Sequence, residues 1–166
     1  MIIFKGVPGI KIEKELNSLP FLINKKKYVW CQQNSWGTYV IFNNWLKDVY
    51  KKYEINSGYK CILILDHEPS HHNPNTIEFM KNNGIEYVFV PQGLTRKALP
   101  LDISVNGPFK SYYKNFYTTH IVNTSENLIY FQKTKRNVLI DWINDIWYSQ
   151  DKITKKTIFN SFIKSV

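Results

Sequence analysis

Cysteine is scarce in this chain: Cys31 and Cys61 are its two, and both sit inside apolar, strand-like segments. They read as reduced, buried thiols of an intracellular protein, not as a disulfide framework. A zinc site would need more ligands in tighter spacing, and the four histidines do not supply one. Long apolar runs are missing too. None approaches the ~20 residues that span a bilayer, so no membrane partner is expected. The opening MIIFKGVPG is too short for a signal-peptide core and has no cleavage pattern, so secretion is not indicated. We see no internal repeat and no low-complexity tract. Among 22 Lys and Arg residues, only Arg96 and Arg136 are arginines.

What is present argues for a folded domain. Hydrophobic residues make up 43% and aromatics 16%, which excludes a disordered chain. At 166 residues the chain is one domain's worth and can bury a real core. The formal net charge of +9 favours a polyanionic partner through counterion release. A lysine- and asparagine-rich composition also arises from an AT-rich genome, so charge alone gives weak support for nucleic acid.

Hydrophobic periodicity gives a coarse layout. Residues 1–5 read as the tail of a strand, and Gly6-Val7-Pro8-Gly9 as a turn. Tyr28 to Cys31 is aromatic and β-branched, hence a strand, with Lys25-Lys26-Lys27 as a solvated turn before it. From Thr38 to Tyr53, Ile41, Trp45, Val49 and Tyr53 recur every four residues beside Phe42 and Leu46, so a helix is expected, ended by Gly58. Cys61 to Leu65 suits a buried parallel strand, Thr76 to Asn83 a helix stopped by Gly84, and Tyr87 to Val90 a strand. A loop from Gln92 to Pro100 and a helix from Pro108 to Tyr117 follow. Residues 118–136 look irregular and polar. Two amphipathic helices close the chain, Asn137 to Trp147 and Thr154 to Lys164. The β-α-β-α-β order places the chain in the α/β class.

Two carboxylates stand out. Asp66 closes an apolar strand, and ligands collect at the carboxyl ends of strands in open α/β sheets. Asp102 comes 36 positions later, after a path that can return to the same sheet edge. Two such acids can share Mg²⁺, an ion that prefers oxygen ligands and substrate phosphates. Two metals ~3.5–4 Å apart would activate a nucleophile and stabilise a leaving oxygen. The plainer alternative is an aspartate that caps a turn or the next helix.

The ordered motifs carry a resemblance over nearly the whole chain. Ile3-Phe4-Lys5-Gly6, Ser35-Trp36, Trp45-Leu46, the LILDHEPSH of Leu63 to His71, and Val90-Pro91-Gln92-Gly93-Leu94-Thr95 occur in sequence. Pro100-Leu101-Asp102 with Pro108-Phe109-Lys110, and the tail from Trp142 to Phe162, complete the set. This set resembles the DDE-type transposase catalytic domain of the pogo/Jerky and centromere protein B-like group. The resemblance implies a ribonuclease-H-like sheet flanked by helices, three acidic metal ligands, Mg²⁺ or Mn²⁺ in a two-metal site, and DNA strand cleavage and joining. It puts Asp66 in the place of the second acid and Asp102 in that of the third. His71 would orient the site or contact phosphate, and Lys110 would contact phosphate. We add Arg96, Lys97 and Lys114 as candidate nucleic-acid contacts.

Two departures shape the expectation. In that group the first acid lies on a strand before the "IFKG" segment, where this chain begins, and Glu13 and Glu15 offer no substitute in their charged, turn-flanked segment. Leu99 stands where glutamine usually precedes Pro-Leu-Asp. We therefore expect an amino-terminally truncated, partial core over residues 1–120, lacking its first strand, and a helical carboxyl-terminal extension over 121–166 that packs on it. The expected function is DNA binding of transposase ancestry in the nucleus, with little cleavage by this chain alone. The alternatives are a domesticated, non-catalytic DNA-binding protein and a protein-interaction module, with self-association through exposed sheet edge.

Overall fold

A computed structural model describes residues 1–18, 29–124, 128–149 and 151–165. They divide into two compact units, Met1–Val90 and Pro91–Val166. The chain is mixed α/β, with short parallel strand pairs in the first unit and helices in both.

In the first unit β1 (Ile2–Lys5) lies parallel to β2 (Val29–Gln32), Ile2 opposite Val29 and Lys5 opposite Gln32. Between them α1 (Lys11–Ser18) occupies the charged, turn-flanked segment for which the sequence suggested no element. Its Ile12 and Leu16 are one helical turn apart, and Leu16 is buried. The Glu13 carboxylate accepts from the Gly9 backbone N–H, and Gly9 itself sits at φ +81°. Only glycine takes that conformation without strain. Tyr28 and Lys25 to Lys27, read from sequence as strand and turn, fall outside the described residues.

The expected helix after Thr38 is present in three pieces. Thr38 Oγ1 accepts from the Ile41 N–H (3.4 Å) and caps α2 (Tyr39–Trp45). A wide π-turn follows over Leu46–Tyr50, closed by the Lys51 N–H donating to the Leu46 carbonyl. Helix α3 (Lys51–Ser57) then runs to Gly58, whose left-handed φ of +70° ends it. The wide turn shifts the buried ridge. Phe42, Leu46 and Tyr50 face the core, whereas Tyr53, an expected core position, is exposed.

Tyr50 also ties this helix to the next strand: its hydroxyl donates to the Cys61 carbonyl at 2.7 Å. Burial, followed by the nearby charges of Glu54, Cys61 and Glu86, pushes the Tyr50 phenol up to about 12. Glu54 holds Lys51 at 2.7 Å and accepts from the Cys61 N–H at 3.4 Å. The Lys51 hydrogen bond is the main reason its carboxyl lies below the ordinary range.

Strand β3 (Ile62–Leu65) pairs in parallel with β4 (Glu86–Phe89), and the Val90 N–H extends the ladder by donating to the Leu65 carbonyl at 2.8 Å. Helix α4 (Pro74–Asn82) connects them, capped by Asn73 Oδ1 on the Asn75 N–H (3.0 Å) and opened by Pro74. Leu65, Met80 and Ile85 meet the Phe42–Leu46–Tyr50 ridge, with Leu46 and Met80 fully buried. This core fixes the end of β3, where Asp66 emerges.

The second unit is helical. A short helix α5 (Thr95–Ala98) lies within the segment expected to be a loop. A second π-turn, Leu101–Val105, carries Asp102 and leads into α6 (Asn106–Thr124). Helix α7 spans Leu128–Tyr148, so the expected irregular stretch over 118–136 is corrected: α6 continues through its first part and α7 begins within it. The reason is packing: Phe116, Tyr117 and His120 of α6 surround Trp142 of α7, with ring centroids 6.1, 6.5 and 5.2 Å from it. Val105, Ile146 and Ile153 form the core against Phe109, Tyr112, Tyr113 and Phe116. Lys152 Nζ bonds Asp145 at 2.7 Å and stands 5.2 Å above the Phe116 ring.

Helix α8 (Lys155–Ile163) is capped by Thr154 Oγ1 on the Thr157 N–H (3.0 Å) and packs against the 101–105 turn. It buries Ser161, whose hydroxyl donates to the Ile158 carbonyl, and exposes Phe159, Phe162 and Ile163. Among the described residues no helix is long and apolar enough to cross a membrane.

Candidate functional site

The site is built at the carboxyl end of β3. Leu65 is buried, and the next residue, Asp66, leaves the core with its side chain 34% exposed. A turn returns the chain so that His71 Nδ1 lies 2.7 Å from Asp66 Oδ1. The same oxygen accepts from the Glu68 N–H at 3.4 Å. Glu68 closes the turn, accepting from the Ser70 N–H (2.8 Å) and the Ser70 hydroxyl. Ser70 is anchored in turn, because buried Thr76 donates its hydroxyl to the Ser70 carbonyl at 2.9 Å. The His71 ring rests on Phe42, centroids 4.3 Å apart. Asp66 is thus a carboxylate with one oxygen pinned and its partner histidine held from beneath by an aromatic ring.

The two adjacent histidines take different roles. His71 bonds Asp66, and His72 turns to an aromatic stack with His67 (4.4 Å) and Phe89 (4.2 Å). Sequence reasoning singled out Asp66 and His71, weighed Glu68 only as an exposed spare ligand, where it is in fact part-buried and bonded to Ser70, and missed Phe42, Ser70 and this stack. The strand-end position of Phe89 and the HExxHH run were the signals that pointed there.

Asp102 belongs to the second unit, whereas Asp66 belongs to the first. It is exposed in the π-turn, and Asn106 Nδ2 donates to its Oδ1 at 2.5 Å. Lys110 and Lys114 follow on α6, one turn apart and exposed, beside the part-buried aromatics of that helix. Arg96 and Lys97 are exposed on α5. All four candidate nucleic-acid contacts therefore lie in the second unit, and the Asp66–His71 pair lies in the first.

Residues 3–162 match the family model of the DDE superfamily endonucleases, and the chain belongs to that family. No curated protein and no solved structure matches it. Endonucleases of this superfamily generally use divalent metals. Asp66 fits that chemistry as a hard oxygen donor, part-exposed and fixed in direction. A complete cage is another matter: among the described residues no three His, Cys, Asp or Glu side chains gather as a metal-holding group.

Proposed function

We propose that this chain is a DNA-binding domain of transposase ancestry, with a ribonuclease-H-like core of the pogo/Jerky type. Asp66 and Asp102 are its metal-facing acids. The single observation that carries the reading is the Asp66–His71 pair, 2.7 Å apart at a strand end, in a chain matched by the DDE endonuclease family over residues 3–162.

The division of labour follows from side-chain chemistry. Asp66 and Asp102 would each offer carboxylate oxygens to Mg²⁺ or Mn²⁺, which polarises a phosphodiester oxygen and activates water when bound. His71 holds Asp66 Oδ1 and leaves the carboxylate's other oxygen to the cation. Arg96, Lys97, Lys110 and Lys114 neutralise backbone phosphates and set register without reading sequence. The protein works in the nucleus.

The 166 residues by themselves bind DNA with little cleavage. Metal-assisted phosphoryl transfer depends on how many carboxylates grip the cation, and Asp66 and Asp102 are the two this reading assigns. The test is a Mg²⁺- or Mn²⁺-dependent nicking assay on supercoiled DNA, run beside salt-dependent duplex binding. Binding without nicking is expected. Robust nicking that disappears in Asp66→Asn would overturn the inactive state and leave the ancestry standing. Failure to bind DNA at any salt concentration would favour an interaction module instead.

A further inference from the structure

The Asp66–His71 pair does not account for the rest of its loop. His67, one residue past Asp66, and His72, one past His71, stack their rings at 4.4 Å with planes 19° apart. Phe89, at the end of β4, closes the group, 5.5 Å from His67 and 4.2 Å from His72. The stack sits at the carboxyl ends of two paired parallel strands, Phe89 closing β4 and the two histidines in the loop that carries Asp66. Packing explains half of it. His67 and Phe89 are half-buried, and Phe89 also meets Tyr87 edge-on at 5.5 Å. His72 is exposed, so its ring adds little to the core while presenting an aromatic flank to solvent. A flat ring backed by two others, in a chain of net charge +9, is chemistry suited to a planar group on a polyanion.

We infer that the His67–His72–Phe89 stack is a platform for one unpaired nucleobase of the DNA strand that passes Asp66. The proposal rests on the DNA reading above and deepens it. It makes the preferred ligand a strand with a displaced or unpaired base, not a fully paired duplex. Stacking needs no particular base, since every base has a π-face, so the platform supplies position without sequence preference. His72 would act by ring contact, so another aromatic ring at this position should serve as well.

The experiment uses the 166-residue chain and two oligonucleotide probes of one sequence: a duplex, and the same duplex with a short single-stranded gap holding 2-aminopurine. Affinity is read by anisotropy and stacking by fluorescence of the 2-aminopurine. We expect the gapped probe to bind more tightly and its fluorescence to change on binding. His72→Ala should weaken gapped-DNA binding about 10-fold and abolish the fluorescence change, with duplex binding held within about 2-fold. His72→Phe should restore both signals. If the wild type binds both probes equally and His72→Ala changes nothing, the platform is refuted and the DNA reading survives. Parallel losses on both probes in His72→Ala, or no rescue by His72→Phe, also refute it. If the wild type binds neither probe, the DNA reading itself fails and the platform falls with it.

Discussion

Removing a single hydroxyl tests how the first unit holds its site in place. Tyr50 is 8% exposed, and its hydroxyl gives the Cys61 carbonyl a hydrogen bond of 2.7 Å. Cys61 leads into β3, which ends at Asp66, so this bond links the helix ridge to the strand that carries the acid. Tyr50→Phe keeps the ring in the core and strips the carbonyl of that donor. Leaving a part-buried acceptor unsatisfied costs roughly 1–3 kcal/mol. For a chain of this size about 2 kcal/mol lowers Tm by about 4–8 °C.

The pH dependence gives a second, independent reading. The Tyr50 phenol is raised in the fold to about 12, whereas an unfolded tyrosine titrates near 10. A raised folded value means that the stabilisation is fully present below pH 10 and is lost as pH climbs from 10 toward 12. Two pH units correspond to about 3 kcal/mol as an order of magnitude. Lysine titrations affect both proteins alike and cancel in the comparison. Thermal melts of wild type and Tyr50→Phe at pH 8, 10.5 and 11.5 should therefore show a gap of several degrees at pH 8 that closes with alkalinity. Equal melting at pH 8, or a gap that stays constant to pH 11.5, would refute the reasoning.

Other expectations follow from the same geometry. Met80→Ala, at a fully buried position, should destabilise the first unit by about 2–5 kcal/mol in chemical denaturation, through lost contacts and a cavity. Thr154→Ala removes the cap on the Thr157 N–H and should cost about 1 kcal/mol, seen as faster amide exchange in the first turn of α8. Gly6→Ala should lower Tm, because a Cβ there would lie 2.8 Å from Ile12 Cδ1 and 2.9 Å from Cys31 Sγ. The double change Lys110→Ala with Lys114→Ala should reduce the slope of log affinity against log salt by about 2 for duplex DNA, and an unchanged slope would remove both lysines from the interface.

Much of this was readable in the residues, and the exceptions have physical causes. β3 and β4 were legible because the short apolar runs Cys61 to Leu65 and Tyr87 to Val90 admit few other structures, though β4 itself begins one residue earlier, at Glu86. Helix α1 was missed because its apolar pattern is only Ile12 and Leu16 amid lysines and glutamates. The α6–α7 region was misread because its Thr- and Asn-rich sequence favours turns, and burial around Trp142 outweighs that preference. Neither π-turn has a sequence signature, so the move of Tyr53 to the surface could not be foreseen. At the candidate site, motif spacing singled out Asp66 and His71, yet their 2.7 Å contact and the aromatic support from Phe42 depend on tertiary folding.

Helix α8 points Phe159, Phe162 and Ile163 into solvent and tucks a serine inside. Colloidal behaviour follows. At low ionic strength, repulsion among molecules that each bear nine excess positive charges keeps these greasy faces apart. Added salt shortens the reach of that repulsion to about 8 Å near physiological strength and lets the faces meet. Clouding or higher-order species should then set in under the same conditions that loosen the grip on phosphate, so titrations with DNA are cleanest in dilute buffer.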